Sequence, residues 1–406
     1  MRCGLLGKTL SHSYSPQIHK YLGNYSYELF EKQPEELGDF LNNGQFSGIN
    51  VTIPYKKDVI PYCSQLTECA KTLGAVNTIV RRPDGTLIGH NTDYFGFAYM
   101  VKKSGLSVAG KKALVLGSGG ASVTAVAVLK DLGAAVVVIS RSGENNYTNL
   151  HLHADAAVIV NATPVGMYPH AGESPVDLGL FPQLEGVLDI VYNPARTKLL
   201  LEAEKRGILC ENGLAMLVAQ AKEAAEWFTG NSISDSVIPE IHNILCKQME
   251  NIVLIGMPGC GKSTVGQRIA EVSGKQFVDA DTEIVRAAGM SIPEIFTREG
   301  EAGFRRWETE ILSQIGQRSG LVIATGGGCV TKEENYPLLH QNGTIYWLQR
   351  DIFTLPMDGR PLSQAGKMEQ MWQIRRPLYT RFADHIIDNN GLPEDAAAEI
   401  LRGSNI

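Results

Sequence analysis

No apolar run in the 406-residue chain approaches the roughly 18 residues that a membrane-spanning helix needs. The N-terminus also lacks an apolar stretch as long as a secretory signal, so the expectation is a soluble, cytoplasmic protein with no membrane partner. Basic excess is missing too: 37 Lys and Arg against 43 Asp and Glu leave a formal net charge of -6, and no local basic patch offers itself to a phosphodiester backbone. Nucleic acid is not expected as a partner. The seven cysteines are odd in number and never fall in C-x-x-C spacing, which speaks against a disulfide framework and against a zinc site, and fits a reducing compartment. No Pro-rich or Gly/Ser-rich tether separates Ile241–Gln248, which reads as a helix end, from the strand that begins at Asn251, so a flexible linker is not expected there. What is present is ordinary globular material, 44% hydrophobic and 20% charged. The length allows two or three domains, each with its own core. A homo-oligomer stays among the states the sequence permits.

The most specific stretch is Ile252 to Thr264, I-V-L-I-G-M-P-G-C-G-K-S-T. Gly256 through Ser263 fit G-x-x-x-x-G-K-[ST] between a β-branched run and a helical pattern, the context that separates a phosphate loop from a Gly-rich turn that binds nothing. The glycines let successive backbone N–H groups turn inward on phosphate oxygens, and the helix N-terminus adds partial positive charge. Gly259, Cys260, Gly261, Lys262, Ser263 and Thr264 are the phosphate contacts expected here. Lys262 reaches the terminal phosphates, and the Ser263 hydroxyl suits Mg²⁺. The phosphoryl acceptor stays open.

Far upstream, Lys112 to Ser122 gives a strand, a Gly-rich turn (Gly117-Ser118-Gly119-Gly120-Ala121-Ser122) and an apolar helix, followed by a second strand ending at Ser140-Arg141-Ser142. This is the βαβ pattern of a dinucleotide site, with Ser122 where the fingerprint has its third glycine. An arginine at the second strand's end suits a 2′-phosphate, which favours NADP(H) over NAD. Later strands end at Asn161-Ala162-Thr163-Pro164 and at Asp189–Pro194, and Asn212-Gly213 opens a long helix carrying Gln220.

Before that unit lie Ser13-Tyr14-Ser15-Pro16, Asn50-Val51-Thr52-Ile53-Pro54-Tyr55-Lys56, Gly74-Ala75-Val76-Asn77-Thr78 and Asn91-Thr92-Asp93. Singly they are bland: Ser15 before Pro16 reads as a helix N-cap, Asp93 reads as another, and one lysine means little. Taken in order, and with Asn161–Met167, they resemble the successive motifs of shikimate dehydrogenase over residues 1 to about 245. The resemblance implies an α/β fold with a substrate-binding domain at 1–95, completed by 213–245, and a Rossmann NADP domain at 96–212. It implies that Ser13, Ser15, Thr52, Asn77, Asp93, Tyr192 and Gln220 surround shikimate, and that Lys56 and Asp93 form the catalytic pair. Gly117, Ser118, Gly119, Gly120, Ala121, Ser140, Arg141, Ser142 and Gly213 are the cofactor contacts it suggests.

Beyond the phosphate loop, Phe277–Asp281 is a strand running into two acids. Asp279 is the best carboxylate for Mg²⁺, and Asp281 reads as a helix cap. Gly303–Glu308 is a charged stretch on an amphipathic helix, ordinarily a solvated face. Gly326-Gly327-Gly328 is either a tight turn or a close approach of backbone to a ligand. Together these features resemble shikimate kinase from about 249 to 406, a P-loop domain on a parallel sheet. The resemblance implies Asp279 for magnesium, and Asp281, Arg305, Gly326, Gly327 and Gly328 around the shikimate ring. It gives Arg360 as the lid arginine over ATP and Arg375 for the substrate carboxylate. The stretch Asp351 to Gly359 departs from the family in being poor in Lys and Arg, and 362–374 is shorter than usual. The expected partners are thus 3-dehydroshikimate and shikimate. A rival reading keeps the fold and puts quinate in the first half; another makes one half a non-catalytic module.

Overall fold

The computed structural model describes residues 1–10, 13–169, 171–355 and 365–404. The chain divides into two compact units, Met1–Asn243 and Ile244–Ile406, and among the described residues no helix is long and apolar enough to cross a membrane.

The first unit holds two sheets. Strands β1 (Arg2–Gly7), β2 (Ser26–Glu31), β3 (Gly48–Val51), β4 (Gln65–Leu66), β5 (Thr78–Arg81) and β6 (Leu87–His90) form a mixed sheet in the order β2-β1-β3-β5-β6-β4. β1 pairs in parallel with β2 and β3, whereas β5 runs antiparallel to both β3 and β6. The helix Asp93–Ser104 leaves this sheet and packs on the helix Leu214–Thr229. Gly96 makes that packing close: an added Cβ there would sit 2.6 Å from the Met216 carbonyl oxygen and 2.9 Å from Gln220 Cβ. The second sheet is all parallel, β7 (Lys112–Leu116), β8 (Ala135–Ile139), β9 (Val158–Asn161), β10 (Gly186–Asp189) and β11 (Leu209–Asn212), in the order β11-β10-β9-β7-β8. Its near-continuous apolar strands are explained by burial on both faces: Ala113 and Val115 enter one core cluster while Leu114 and Leu116 enter the other. The chain passes from β8 back across β7 to β9, so the strand order switches at β7, where open α/β sheets take their ligands.

In the second unit β12 (Asn251–Ile255), β13 (Gln276–Asp279), β14 (Leu321–Ala324), β15 (Gly343–Gln349) and β16 (His385–Asp388) form a parallel sheet in the order β13-β14-β12-β15-β16. The central strand β12 is buried along its whole length. The helix Lys262–Ser273 follows it directly. The helix Ile292–Gly316 contains a break at Gly300, whose φ of 68° is left-handed backbone. That break separates the helix's first turns from the segment carrying Arg305.

Candidate functional site

In the first unit the turn after β3 and the start of the Asp93–Ser104 helix bring Lys56 Nζ to 2.6 Å from Asp93 Oδ2. The backbone fixes both ends of the pair. The Lys56 carbonyl accepts from Val76 N at 2.8 Å, and Asp93 N donates to Asn91 Oδ1 at 3.1 Å. Asp93 is the first helical residue rather than the cap expected from sequence; Thr92 takes the cap position. Ser15 likewise begins its helix, with Tyr14 at the cap, and its own N–H donates to the Ser13 hydroxyl at 3.2 Å. That bond places Ser13 and Ser15 side by side.

A buried neutral network underlies this pocket. The Tyr27 hydroxyl donates to Asn50 Oδ1 at 2.7 Å and is also hydrogen-bonded to Ser15, and burial pushes its pKa up. Asn50 Nδ2 donates to Thr78 Oγ1 at 3.1 Å. Asn77 Oδ1 accepts from Thr92 N at 2.7 Å while its Nδ2 donates to Thr92 Oγ1 at 3.0 Å, and Thr92 in turn reaches Gln220 Oε1 at 3.3 Å. Asn77 and Gln220, two of the expected substrate residues, are thus joined through Thr92. Thr52 is half-buried beside Gly7, its N–H on the Leu6 carbonyl at 2.9 Å.

The dinucleotide part meets this pocket from the other side. An added Cβ on Gly120 would lie 3.8 Å from Lys56 Cδ, so the Gly-rich turn stands next to the lysine. Tyr192, beyond β10, sets its ring edge-on to Tyr14 with centroids 6.1 Å apart. Gly117 has a φ of 109°, which calls for glycine. Ser122 sits where the fingerprint expects a third glycine, and its buried hydroxyl donates to the Gly117 carbonyl at 2.7 Å, stitching helix to turn. Above Gly119 an added Cβ meets nothing within 4 Å, room in which a pyrophosphate fits beside Ser118, Gly120 and Ala121. Ser140, Arg141 and Ser142 follow β8. Arg141 is exposed and near Tyr147, and the Ser140 N–H is held by the Asn145 carbonyl at 3.1 Å. This exposed guanidinium fits a 2′-phosphate. Gly213 has a structural reason of its own: an added Cβ would fall 2.0 Å from the Ile190 carbonyl oxygen.

Sequence reasoning missed Asp189. Its carboxylate is buried at the end of β10 and accepts from Asn161 Nδ2 at 2.9 Å, Val191 N at 3.0 Å and Thr197 Oγ1 at 2.7 Å. The end of β9 and both ends of the connection after β10, the one bearing Tyr192, are tied to it. Burial pushes its pKa up to about 6.

In the second unit the phosphate loop turns on Gly256, Gly259 and Gly261, with φ of 144°, 85° and 99°. Lys262 folds back on its own loop, donating to the carbonyls of Gly256 at 2.9 Å and Met257 at 3.1 Å. Asn389, just past β16, donates to the Cys260 carbonyl at 2.6 Å and braces the loop from outside. Ser263 Oγ donates to Asp279 Oδ2 at 2.7 Å, two hard oxygen groups at the mouth of the loop, a donor set that fits Mg²⁺. Thr264 follows in the same helix. Asp279, not Asp281, caps the next helix, accepting from the N–H groups of Asp281 and Thr282.

The three glycines after β14 are both a turn and a close approach: Cys329 N donates to the Gly326 carbonyl at 3.2 Å across the turn, none of the three has a positive φ, and each is pressed by a different neighbour. An added Cβ at Gly326 would lie 2.6 Å from Glu308 Oε1 and 2.9 Å from Asp281 Oδ1; at Gly327, 2.6 Å from Pro258 Cδ; at Gly328, 2.2 Å from Arg305 Nη2. Asp281, Arg305 and the glycines therefore converge, and Arg375 joins them with Nη1 on the Gly327 carbonyl at 3.0 Å. The charged stretch 303–308 is not uniformly a solvated face. Arg306 is exposed, but Arg305 is buried against Glu308, which has no exposed surface, at 2.7 Å. Burial pushes the Glu308 carboxyl up and the Arg305 charge draws it back. Glu308 was not singled out from sequence, since burial of one face is invisible in a run of mixed charge. Arg360 lies outside the described residues, as do residues 356–359 of the lid stretch.

A Gly-rich turn on a parallel sheet beside a lysine–aspartate pair, followed by a phosphate loop facing clustered arginines, defines a nucleotide-dependent oxidoreductase joined to a P-loop phosphotransferase. Residues 5–79 match the family model of the shikimate dehydrogenase substrate binding domain, and residues 258–404 match that of shikimate kinase. The shikimate dehydrogenase (NADP(+)) of Caldicellulosiruptor saccharolyticus is 35% identical over 269 residues, 58% of this chain and 95% of that protein. The chain belongs to the shikimate dehydrogenase family and continues into a shikimate kinase domain. Shikimate dehydrogenase 1 from Peptoclostridium difficile shares 38% identity and a TM-score of 0.56 over 60% of this chain and 97% of its own. A chorismate mutase/shikimate 5-dehydrogenase fusion protein from Clostridium acetobutylicum gives 36% and 0.57 over 60% and 96%. Quinate dehydrogenase from Corynebacterium glutamicum, in complex with NAD, gives 27% and 0.55 over 59% and 98%.

Proposed function

We propose that the first unit reduces 3-dehydroshikimate to shikimate with NADPH and that the second phosphorylates the 3-hydroxyl of shikimate with ATP and Mg²⁺. The observation that carries the reading is Lys56 Nζ held 2.6 Å from Asp93 and flanked by the Gly-rich turn. The proposed parts are a substrate-binding portion at 1–95 with 213–245, an NADP-binding portion at 96–212 and a kinase at 249–406.

NADPH, when bound, supplies the hydride. Reduction of a ketone builds negative charge on oxygen, and the Lys56 ammonium stabilises that charge and hands over a proton from Nζ. Asp93 keeps the ammonium aimed and shares the ring hydroxyls. Ser13 and Ser15 present hydroxyls to the ring carboxylate. Thr52, Asn77, Tyr192 and Gln220 complete the wall. Arg141 takes the 2′-phosphate, with Ser140 and Ser142 beside it.

In the kinase, Lys262 exchanges its own loop carbonyls for phosphate oxygens, and Arg375 and Arg305 hold the acid and ring of shikimate as forks matched to oxygen pairs. Asp281 orients the attacking hydroxyl and accepts its proton. Mg²⁺, when bound at Ser263 and Asp279, neutralises phosphate charge. The resemblance assigns Arg360 to ATP as the lid arginine. Catalysis is chiefly positioning and charge neutralisation.

The likeness to a quinate dehydrogenase supports a second reading of the first unit. Initial rates separate the two: oxidation of shikimate with NADP⁺ is expected to exceed oxidation of quinate with either nucleotide, and the reverse order would move the assignment to quinate.

A further inference from the structure

Tyr379, on the helix Ala365–Phe382, is completely buried and touches three functional segments at once. Its hydroxyl donates to the Gly327 carbonyl. Arg375, one turn earlier, donates to that same carbonyl at 3.0 Å and is hydrogen-bonded to the Tyr379 hydroxyl. The hydroxyl also stands 3.8 Å from Met257 Sδ, and Met257 is the second residue of the phosphate loop. On its far side Gly327 is pressed by Pro258 of that loop, with 2.6 Å between an added Cβ and Pro258 Cδ. The middle glycine of the acceptor loop is therefore gripped between the donor loop and a phenol. Burial pushes the pKa of that phenol far above its ordinary value, so the hydroxyl remains a donor.

The ring alone does not need the hydroxyl for packing. It stacks on Trp347 with centroids 5.6 Å apart, a contact that phenylalanine keeps. The hydroxyl's work is at Gly327 and Arg375. Phosphoryl transfer depends on the separation of donor and acceptor, and misplacement by about 1 Å costs on the order of 100-fold in rate.

We propose that Tyr379 is a positioning residue that fixes the acceptor loop and Arg375 against the phosphate loop, and so sets the distance between the shikimate hydroxyl and the phosphoryl donor. This rests on the kinase reading above. Tyr379 touches no substrate in the scheme; it acts through Gly327, Arg375 and Met257.

The test is Tyr379→Phe in the full chain. Turnover of shikimate with Mg·ATP is expected to fall about 10- to 100-fold. The dissociation constants of shikimate and of Mg·ADP, each titrated alone by calorimetry, are expected to stay within about threefold of the unsubstituted chain. A role in packing alone would lower the melting temperature and weaken both ligands together, which would overturn the proposal, as would turnover within twofold of the unsubstituted chain. Should the variant bind neither ligand for want of folding, Pro258→Ala carries the test, because it loosens the other side of the grip on Gly327. The same selective loss of turnover supports the proposal, and an unchanged rate contradicts it. Failure of the unsubstituted chain to form shikimate 3-phosphate would count against the kinase reading itself and is thereby told apart.

Discussion

The two sites solve the problem of holding a small hydroxylated acid in different electrical terms. Under the first lies a floor of neutral groups, Tyr27, Asn50, Asn77, Thr78, Thr92 and Gln220, passing hydrogen bonds from β-strand to helix, with the Lys56–Asp93 ion pair above it. Behind the second lies a charged cluster, buried Arg305, Glu308 and Arg375 with half-buried Asp281, pressed against three glycines. A neutral network has no charge to leave stranded, so single losses cost roughly one hydrogen bond, about 1 kcal/mol each. A buried ion pair behaves otherwise: removing one partner strands the other and costs about 3–5 kcal/mol. Chemistry in the first site should therefore be separable from stability, whereas in the second the acceptor site and the core of the unit should fail together.

The largest expected effect is on chemistry in the first site. Lys56→Ala is expected to lower reduction of 3-dehydroshikimate by about 10³-fold or more, measured as NADPH oxidation, while phosphorylation of added shikimate by the same preparation stays at its original rate. Loss of both activities together would contradict two independent sites.

Next comes the charged cluster. Glu308→Ala takes from buried Arg305 its close partner and leaves it the more exposed Glu301, at 3.2 Å. The calorimetric transition of the kinase unit is expected to move down by on the order of 10 °C, from a loss of about 3–5 kcal/mol, and the reductase transition to stay in place. A shift below about 2 °C would mean that the cluster is not the store of stability its burial implies.

The smallest effect concerns Asp189, the first unit's buried carboxylate outside the catalytic pair. Its folded pKa of about 6 lies above the ordinary 3.8, so between those values the folded state holds a proton that the unfolded state has released. The contribution favours folding below about pH 4 and is lost as pH rises through 6. Asp189→Asn keeps an acceptor for Asn161 and Val191 and lacks this titration. Relative to the variant, the unsubstituted reductase unit should lose about 1–3 kcal/mol between pH 4 and 7, seen as a fall of its melting temperature against that of the variant. A constant gap would place the carboxylate's titration elsewhere.

Legibility from sequence followed the range over which each feature is encoded. The phosphate loop and the Gly-rich turn are local, with every residue within a dozen positions, and their strand-to-helix context is what β12 and β7 provide. Lys56 and Asp93 lie 37 positions apart, so only the succession of family motifs could pair them. Ser15 and Asp93 fit the pattern of helix caps, yet neighbours one residue earlier took those positions. Glu308 and Tyr379 escaped for a common reason. Their meaning lies in burial against segments remote in the chain, and neither a run of charges nor a lone tyrosine near a helix end encodes that. The strand orders, set by crossovers, were equally beyond the local pattern.

The central claim, that one chain performs two consecutive reactions on one substrate, is tested most directly with NADPH carrying deuterium at its transferable position. Incubated with 3-dehydroshikimate, Mg²⁺ and ATP, the full chain is expected to yield shikimate 3-phosphate one mass unit heavier than that made with ordinary NADPH. Deuterated shikimate without phosphate would contradict the kinase half, and absence of deuterium from every product would contradict the reductase half.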